Sequence, residues 1–228
     1  MKIILNSIHI IKGLTYTAIL LIMIHIIILG IYFYIGDSEK FDFVRMFDLD
    51  MERNIPTLFS SALMFISAFL FYLLSMAPKE QKQRNSSFWL GLSFIFIFLA
   101  FDESATIHEN LGDYTENFVE ASGYFYYPWV ISYSILVLIL AVFYIRFFWR
   151  MPSKVFWSFM GAAWIFLSGA IGFELLGAKE SSLHGTDTLV YCIYYTIEES
   201  LEMFGIIYLI WILLGLVSEK EIEITFLK

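Results

Sequence analysis

The stretch LSFIFIFLAFDESATIHE, residues 92–109, begins as uninterrupted hydrocarbon and ends in Asp102, Glu103, His108 and Glu109. A run of this kind is too apolar for the surface of a soluble domain, and its aromatic and aliphatic residues lack the alternation of a barrel strand. Read outward to about residue 88 it has the length of a membrane span, which needs roughly 20 residues. Five further stretches meet the same criterion, giving spans at about 14–35, 57–77, 88–110, 128–148, 155–177 and 190–217. Composition agrees: 59% of residues are hydrophobic, 19% aromatic and only 16% charged, with a mean hydropathy of +0.73. With no water to satisfy the backbone, the spans are expected to be helices. The fold expected is an all-α polytopic membrane helix bundle, one integral membrane domain over residues 1–228.

Orientation follows from Lys and Arg, which are retained on the cytoplasmic side. With both termini inside, Lys2, Lys12, Lys79, Lys82, Arg84, Arg146, Arg150, Lys154, Lys220 and Lys228 are cytoplasmic, and only Lys40, Arg45, Arg53 and Lys179 lie outside. This predicts an N-in/C-in protein of the cell (inner) membrane. The first span is long and lacks a small-residue cleavage pattern, so it reads as retained and not as a signal peptide. The formal charge of −8 then falls mainly on outward segments such as 110–127, which argues against nucleic acid as a partner. The single cysteine, Cys192, excludes an intrachain disulfide and a cysteine-based zinc site and reads as packing.

The loop 36–56 mixes Phe41, Phe43, Val44, Phe47 and Leu49 with acids, which predicts a solvated segment lying along the outer interface. Its Asp48, Asp50 and Glu52 have calcium-loop character, but Arg53 stands where the sharp-turn glycine belongs. Tyr124, Phe125, Tyr126, Tyr127 and Trp129 read as an outer anchoring belt for the fourth span. The fifth span carries Gly161, Ala162, Ala163, Ser168, Gly169, Ala170 and Gly172, small residues that place it toward the middle of the bundle.

Ionisable groups inside spans are costly and mark function. At about 1.5 Å per residue, Asp102 lies roughly 21 Å along the third span, and Glu109, Glu174 and Glu199 also fall in the outer half. Uncompensated, Asp102, Glu103, Glu198, Glu199 and Glu202 would cost on the order of 10 to 15 kcal/mol. Protonation or hydrogen bonding in a wet cleft could relieve this, and so could a bound cation, which neutralises several acids at once. The residues predict a divalent metal site, the ion being Fe, Mn, Zn or Ca, with Asp102, Glu103, Glu109, Glu174, Glu199 and Glu202 as ligands. His108 and Glu198 are the expected catalytic groups. On a straight helix His108 lies roughly 120° round from Asp102, so either the helix loosens after Ser104 or His108 stands outside the first ring of ligands.

The spacing departs from the Glu-x-x-His pattern of carboxylate-bridged dinuclear helix bundles, since Glu199 and Glu202 give Glu-x-x-Glu and Glu103 to His108 is five apart. No phosphate loop, nucleophile elbow or His-Glu-x-x-His motif occurs. Asp102-Glu103-Ser104 and Glu198-Glu199-Ser200 resemble one another, but both fall on the outer side, unlike the mirrored depths of an inverted repeat. His25 reads as a hydrogen-bonded packing residue, His184 as a solvated loop residue. The function expected is a metal-dependent membrane hydrolase or oxidoreductase acting on a lipid, lipid-linked or small-molecule substrate. A cation or proton transporter and a sensor subunit with a structural polar cluster are the alternatives. The bilayer is the first partner, and an oligomer is compatible with the sequence.

Overall fold

The computed structural model describes residues 6–35, 45–76 and 86–219, and it is all-helical there. Helix α1 spans Ser7–Ile35, α2 Ile55–Ser75, α3 Ser86–Ala105, α4 Ile107–Thr115, α5 Trp129–Phe148, α6 Ser153–Leu167, α7 Glu174–His184 and α8 Leu189–Glu219. A 3₁₀ turn at Gly123–Phe125 precedes α5, and a π turn at Ser168–Phe173 joins α6 to α7 as one continuous rod. Six helices are long and apolar enough to cross a membrane: Ser7–Tyr34, Ile55–Ser75, Ser86–Ala105, Trp129–Phe148, Ser153–His184 and Leu189–Glu219. Their outward faces carry Leu138, Val142, Trp157 and Trp164, each more than 60% exposed, as surfaces that lipid would cover.

The middle of the bundle is α8 and not the small-residue fifth span. Helix α8 packs on α1, α2, α6, the π turn and α7, and its Met203, Ile210 and Leu213 are almost wholly buried. The small residues act where α8 meets the fifth rod. A Cβ on Gly169 would lie 2.6 Å from the Glu198 carbonyl oxygen, and one on Gly205 would lie 2.8 Å from the Phe166 nitrogen. Between lipid-facing helices such backbone approach replaces the hydrophobic drive of water.

Helices α2 and α3 form the other tight pair, tied by Ser93 Oγ donating to the Ala68 carbonyl at 2.8 Å. Helix α2 starts where Asn54 Oδ1 accepts from the Thr57 backbone N–H at 3.1 Å, an N-cap, with Pro56 pre-set in the first turn. One end of the bundle is closed by aromatic packing. Phe147 stacks on Phe88 at 5.1 Å and meets Trp89 edge-on at 4.9 Å, while Phe148 packs on Phe159 at 4.8 Å. This cluster ties α5 to α3 and α6 at one end.

Several boundaries differ from those expected. Helix α1 begins at Ser7, seven residues before the expected 14. The fifth rod continues to His184, beyond the expected 177, so His184 ends a helix and does not lie in a loop. The third span ends at Ala105 because Thr106 turns into the left-handed region at φ 55 and ψ 42. No glycine or proline announces this break. A β-branched residue there costs on the order of 1–2 kcal/mol, so its surroundings must hold it. Asp102 does so: its Oδ1 accepts from the His108 backbone N–H at 2.7 Å and so caps α4.

Candidate functional site

One cavity of about 930 Å³ opens between α3, α5, the α6–α7 rod and α8. Its lining at one end is apolar, formed by Phe94, Phe98, Leu99, Leu136, Leu140 and Phe166, of which Phe94, Phe98 and Leu136 are also exposed on the bundle surface. Toward the other end it is lined by ten carboxyl groups, of Asp50, Glu52, Asp102, Glu103, Glu109, Glu116, Glu174, Glu198, Glu199 and Glu202, together with His108. No Lys or Arg lines it among the described residues. All eight residues expected from the sequence therefore face one space. Among the described residues, however, no three His, Cys, Asp or Glu side chains converge closely enough to hold a metal ion as they stand.

The break at Thr106 resolves the angular mismatch between Asp102 and His108. With α4 redirected, His108 Nδ1 comes to 3.3 Å from Asp102 Oδ1. The other carboxylate oxygen, Oδ2, accepts from the Tyr133 hydroxyl at 2.7 Å. Asp102 is 5% exposed and its two oxygens are engaged by three donors. The His108 ring packs against Trp129 with centroids 4.7 Å apart. Its free edge, Nε2, stands 3.5 Å from Glu52 Oε1. Glu109 follows on α4 and is exposed at the cavity edge.

The α8 and α7 acids behave differently. Glu198 is 8% exposed and its nearest polar neighbours are acids, Glu174 foremost. Glu174 is also within interaction range of Trp129, and Glu202 and Glu199 neighbour Glu103 across the cavity. Adjacent carboxyls of this kind need a proton or a cation between them. Gly169 makes room for them, since a Cβ there would lie only 3.1 Å from Glu202 Cγ.

The expectation that loop 36–56 is a solvated segment holds for Arg45, Met46, Asp50, Met51 and Arg53, which are exposed, but not for Leu49, which is buried, while residues 36–44 lie outside the described residues. Residues 48–52 turn into the bundle mouth. Asp48 Oδ1 lies 3.4 Å from His25 Nδ1 and accepts from Tyr195 at 3.4 Å, and Asp50 accepts from the Tyr191 hydroxyl at 2.8 Å. Leu49, 4% exposed, donates its N–H to His25 Nδ1 at 3.2 Å. The His25 ring carries its hydrogen on Nε2, directed to Thr196 Oγ1 at 3.1 Å. Arg53 adopts a left-handed backbone, φ 61, as the loop turns into α2.

Outside the spans the loop acids are strongly perturbed. Burial, with the charge of Glu109 behind it, pushes Glu52 up to about 7. The enclosing protein and the charges of Asp48 and Glu174 push Asp50 up to about 6, against the stabilising Tyr191 hydrogen bond. For His108, burial works downward, but the Asp102 hydrogen bond and the charges of Asp102, Glu52 and Glu103 outweigh it and raise its pKa.

Sequence reasoning missed Glu52, Asp50, Tyr133 and Trp129 as lining residues. Tyr127 and Trp129, read as lipid anchors, instead face inward: Tyr127 donates to Ser181 Oγ at 3.2 Å. His184 is exposed and lies 3.3 Å from Glu180 one turn earlier, away from the cavity lining.

No curated protein and no solved structure matches the chain. A family model described as "Domain of unknown function (DUF8692)" matches residues 14–217. The match takes in all six apolar helices in whole or large part and every residue that lines the cavity. The chain therefore belongs to the DUF8692 family.

Proposed function

We propose that the chain is a six-span, N-in/C-in protein of the inner membrane and a metal-dependent enzyme acting on a lipid or lipid-linked substrate. The observation that carries this reading is the two-part chemistry of one cavity: ten carboxyl groups and His108 toward one end, aromatic and aliphatic walls at the other. An acyl or prenyl chain fits the apolar walls, and a polar group attached to it reaches the acids. Glu103, Glu174, Glu199 and Glu202, from three separate helices, are the groups proposed to turn toward a shared divalent ion, with Glu109 at the edge. Hard or borderline ions such as Fe, Mn, Zn or Ca suit oxygen ligands with one imidazole. Such an ion would supply an activated water or an oxygen-reactive centre, and His108 and Glu198 are placed to move protons beside it.

A second reading is favoured by the present spacing, in which no three acids close on one ion among the described residues. Carboxyls lining a cleft in this way could instead pass protons or cations. Elemental analysis of the purified protein separates the two. The enzyme reading predicts near-stoichiometric metal that is lost in Glu199→Gln and in Glu202→Gln. Absence of tight metal together with ion flux in vesicles would replace it with transport.

A further inference from the structure

Asp102 was expected to be a ligand, yet its surroundings give it a different task. Both carboxylate oxygens are occupied: Oδ1 by the backbone N–H and the Nδ1 of His108, Oδ2 by the Tyr133 hydroxyl. The group is 5% exposed, and all three of its donors sit on the α4 and α5 side, while Glu174, Glu199 and Glu202 come from α7 and α8. A carboxylate accepts, so Nδ1 must carry the ring hydrogen, leaving Nε2 with a free lone pair or a second proton. Nε2 faces Glu52 Oε1 at 3.5 Å, and both residues line the cavity. The ring is held from its face as well, by Trp129 at 4.7 Å.

We propose that Asp102 is a positioning residue and not a metal ligand: with Tyr133 it fixes His108 in the Nδ1–H tautomer and presents Nε2, paired with Glu52 of the outer loop, to the cavity. This rests on the enzyme reading for its purpose but not for its geometry. Carboxylate–histidine pairs act in this way generally, setting the tautomer and direction of the ring nitrogen that does the work. Two residues enter the site through this arrangement: Tyr133, which steadies Asp102, and Glu52, which brings residues 48–52 into contact with the centre. The left-handed Thr106 is then explained, because only a chain reversed at that point lets His108 return to an aspartate six residues earlier.

The test uses the full chain in nanodiscs with ¹⁵N-labelled histidine, the His108 signals assigned by their loss in His108→Gln. Wild type should show Nδ1 protonated. Asp102→Asn keeps an acceptor oxygen, so it should retain the Nδ1–H signature and retain metal content within about twofold. Asp102→Leu should lose the tautomer preference, and Tyr133→Phe should leave it weakened. Should Asp102→Leu not fold, the Asn and Phe variants still decide. Loss of metal in Asp102→Asn to the extent seen in Glu199→Gln, or a wild-type ring protonated on Nε2 alone, would overturn the proposal. A wild type without metal would sink the enzyme reading, while the tautomer measurement would still judge the role of Asp102.

Discussion

Gly169→Ala places one methyl group where α8 crosses the π turn. The added Cβ would stand 2.6 Å from the Glu198 carbonyl oxygen, 3.1 Å from Glu202 Cγ and 3.2 Å from Leu201 Cβ. The first of these is backbone, so no rotamer change relieves it, and the helices must part by roughly 0.6–0.8 Å to regain ordinary contact. Overpacking of this kind costs about 1–3 kcal/mol, partly offset by the roughly 0.5–1 kcal/mol that Ala gains over Gly in a helix. The net loss, centred on about 1 kcal/mol, corresponds to a melting midpoint lowered by roughly 2–4 °C in a chain of this size. Gly172→Ala is the matched control, since a Cβ there meets nothing within 4 Å. Its midpoint should be unchanged or slightly raised. Thermal unfolding in nanodiscs reads both, and metal content reads the displacement of Glu198 and Glu202. Equal midpoints for the two variants would refute the claim that backbone contact at Gly169 sets the position of the α8 acids.

Three further outcomes follow from the same geometry. Asp50 and Glu52 have folded-state values raised to about 6 and about 7, and His108 is raised as well. Each therefore contributes stability at low pH that is lost as pH rises through its folded-state value. Hydrogen exchange at residues 48–52, corrected for its intrinsic pH dependence, should quicken between about pH 4 and 7, and less so in Glu52→Gln; constant protection across that range would contradict this. His25→Ala removes the acceptor for the Leu49 N–H and a fully buried ring, which should cost about 2–4 kcal/mol and loosen the loop so that trypsin cleaves faster after the exposed Arg53. Unaltered cleavage would show that His25 does not hold the loop. Finally, an impermeant maleimide should label Ser122→Cys in intact cells and Lys82→Cys only after permeabilisation, buried Cys192 staying silent; the reverse pattern would invert the topology.

The helices were legible because a span is a matter of length and apolarity, and residues 88–101 or 203–217 leave no alternative. What the sequence hid depends on partners far along the chain. Asp48, Leu49 and Asp50 read as surface loop because His25, Tyr191 and Tyr195, which bind them, lie between 24 and 147 residues away. The apolar Leu49 between Asp48 and Asp50 was the available signal that this loop has an inward side. The break at Thr106 left a trace in the angular mismatch of Asp102 and His108, but its cause is a side-chain cap on a backbone N–H, which has no compositional signature. Tyr133 was invisible among the apolar residues of α5, being polar by a single hydroxyl. Of the small residues that were expected to place the fifth span in the middle, Ala162 and Gly169 are buried and Ala163 and Gly172 are exposed, and it is α8 that occupies the centre because it meets five other elements.

The central claim is that acids from α3, α7 and α8 can close on one divalent ion beside His108. An experimental structure of the protein prepared with manganese, with anomalous data collected, tests it most directly. The account predicts a peak among Glu103, Glu174, Glu199 and Glu202, with carboxylate oxygens about 2.0–2.3 Å from it and Asp102 still bonded to His108 and Tyr133. A cavity without an anomalous peak, its acids held only by water and by one another, would contradict it.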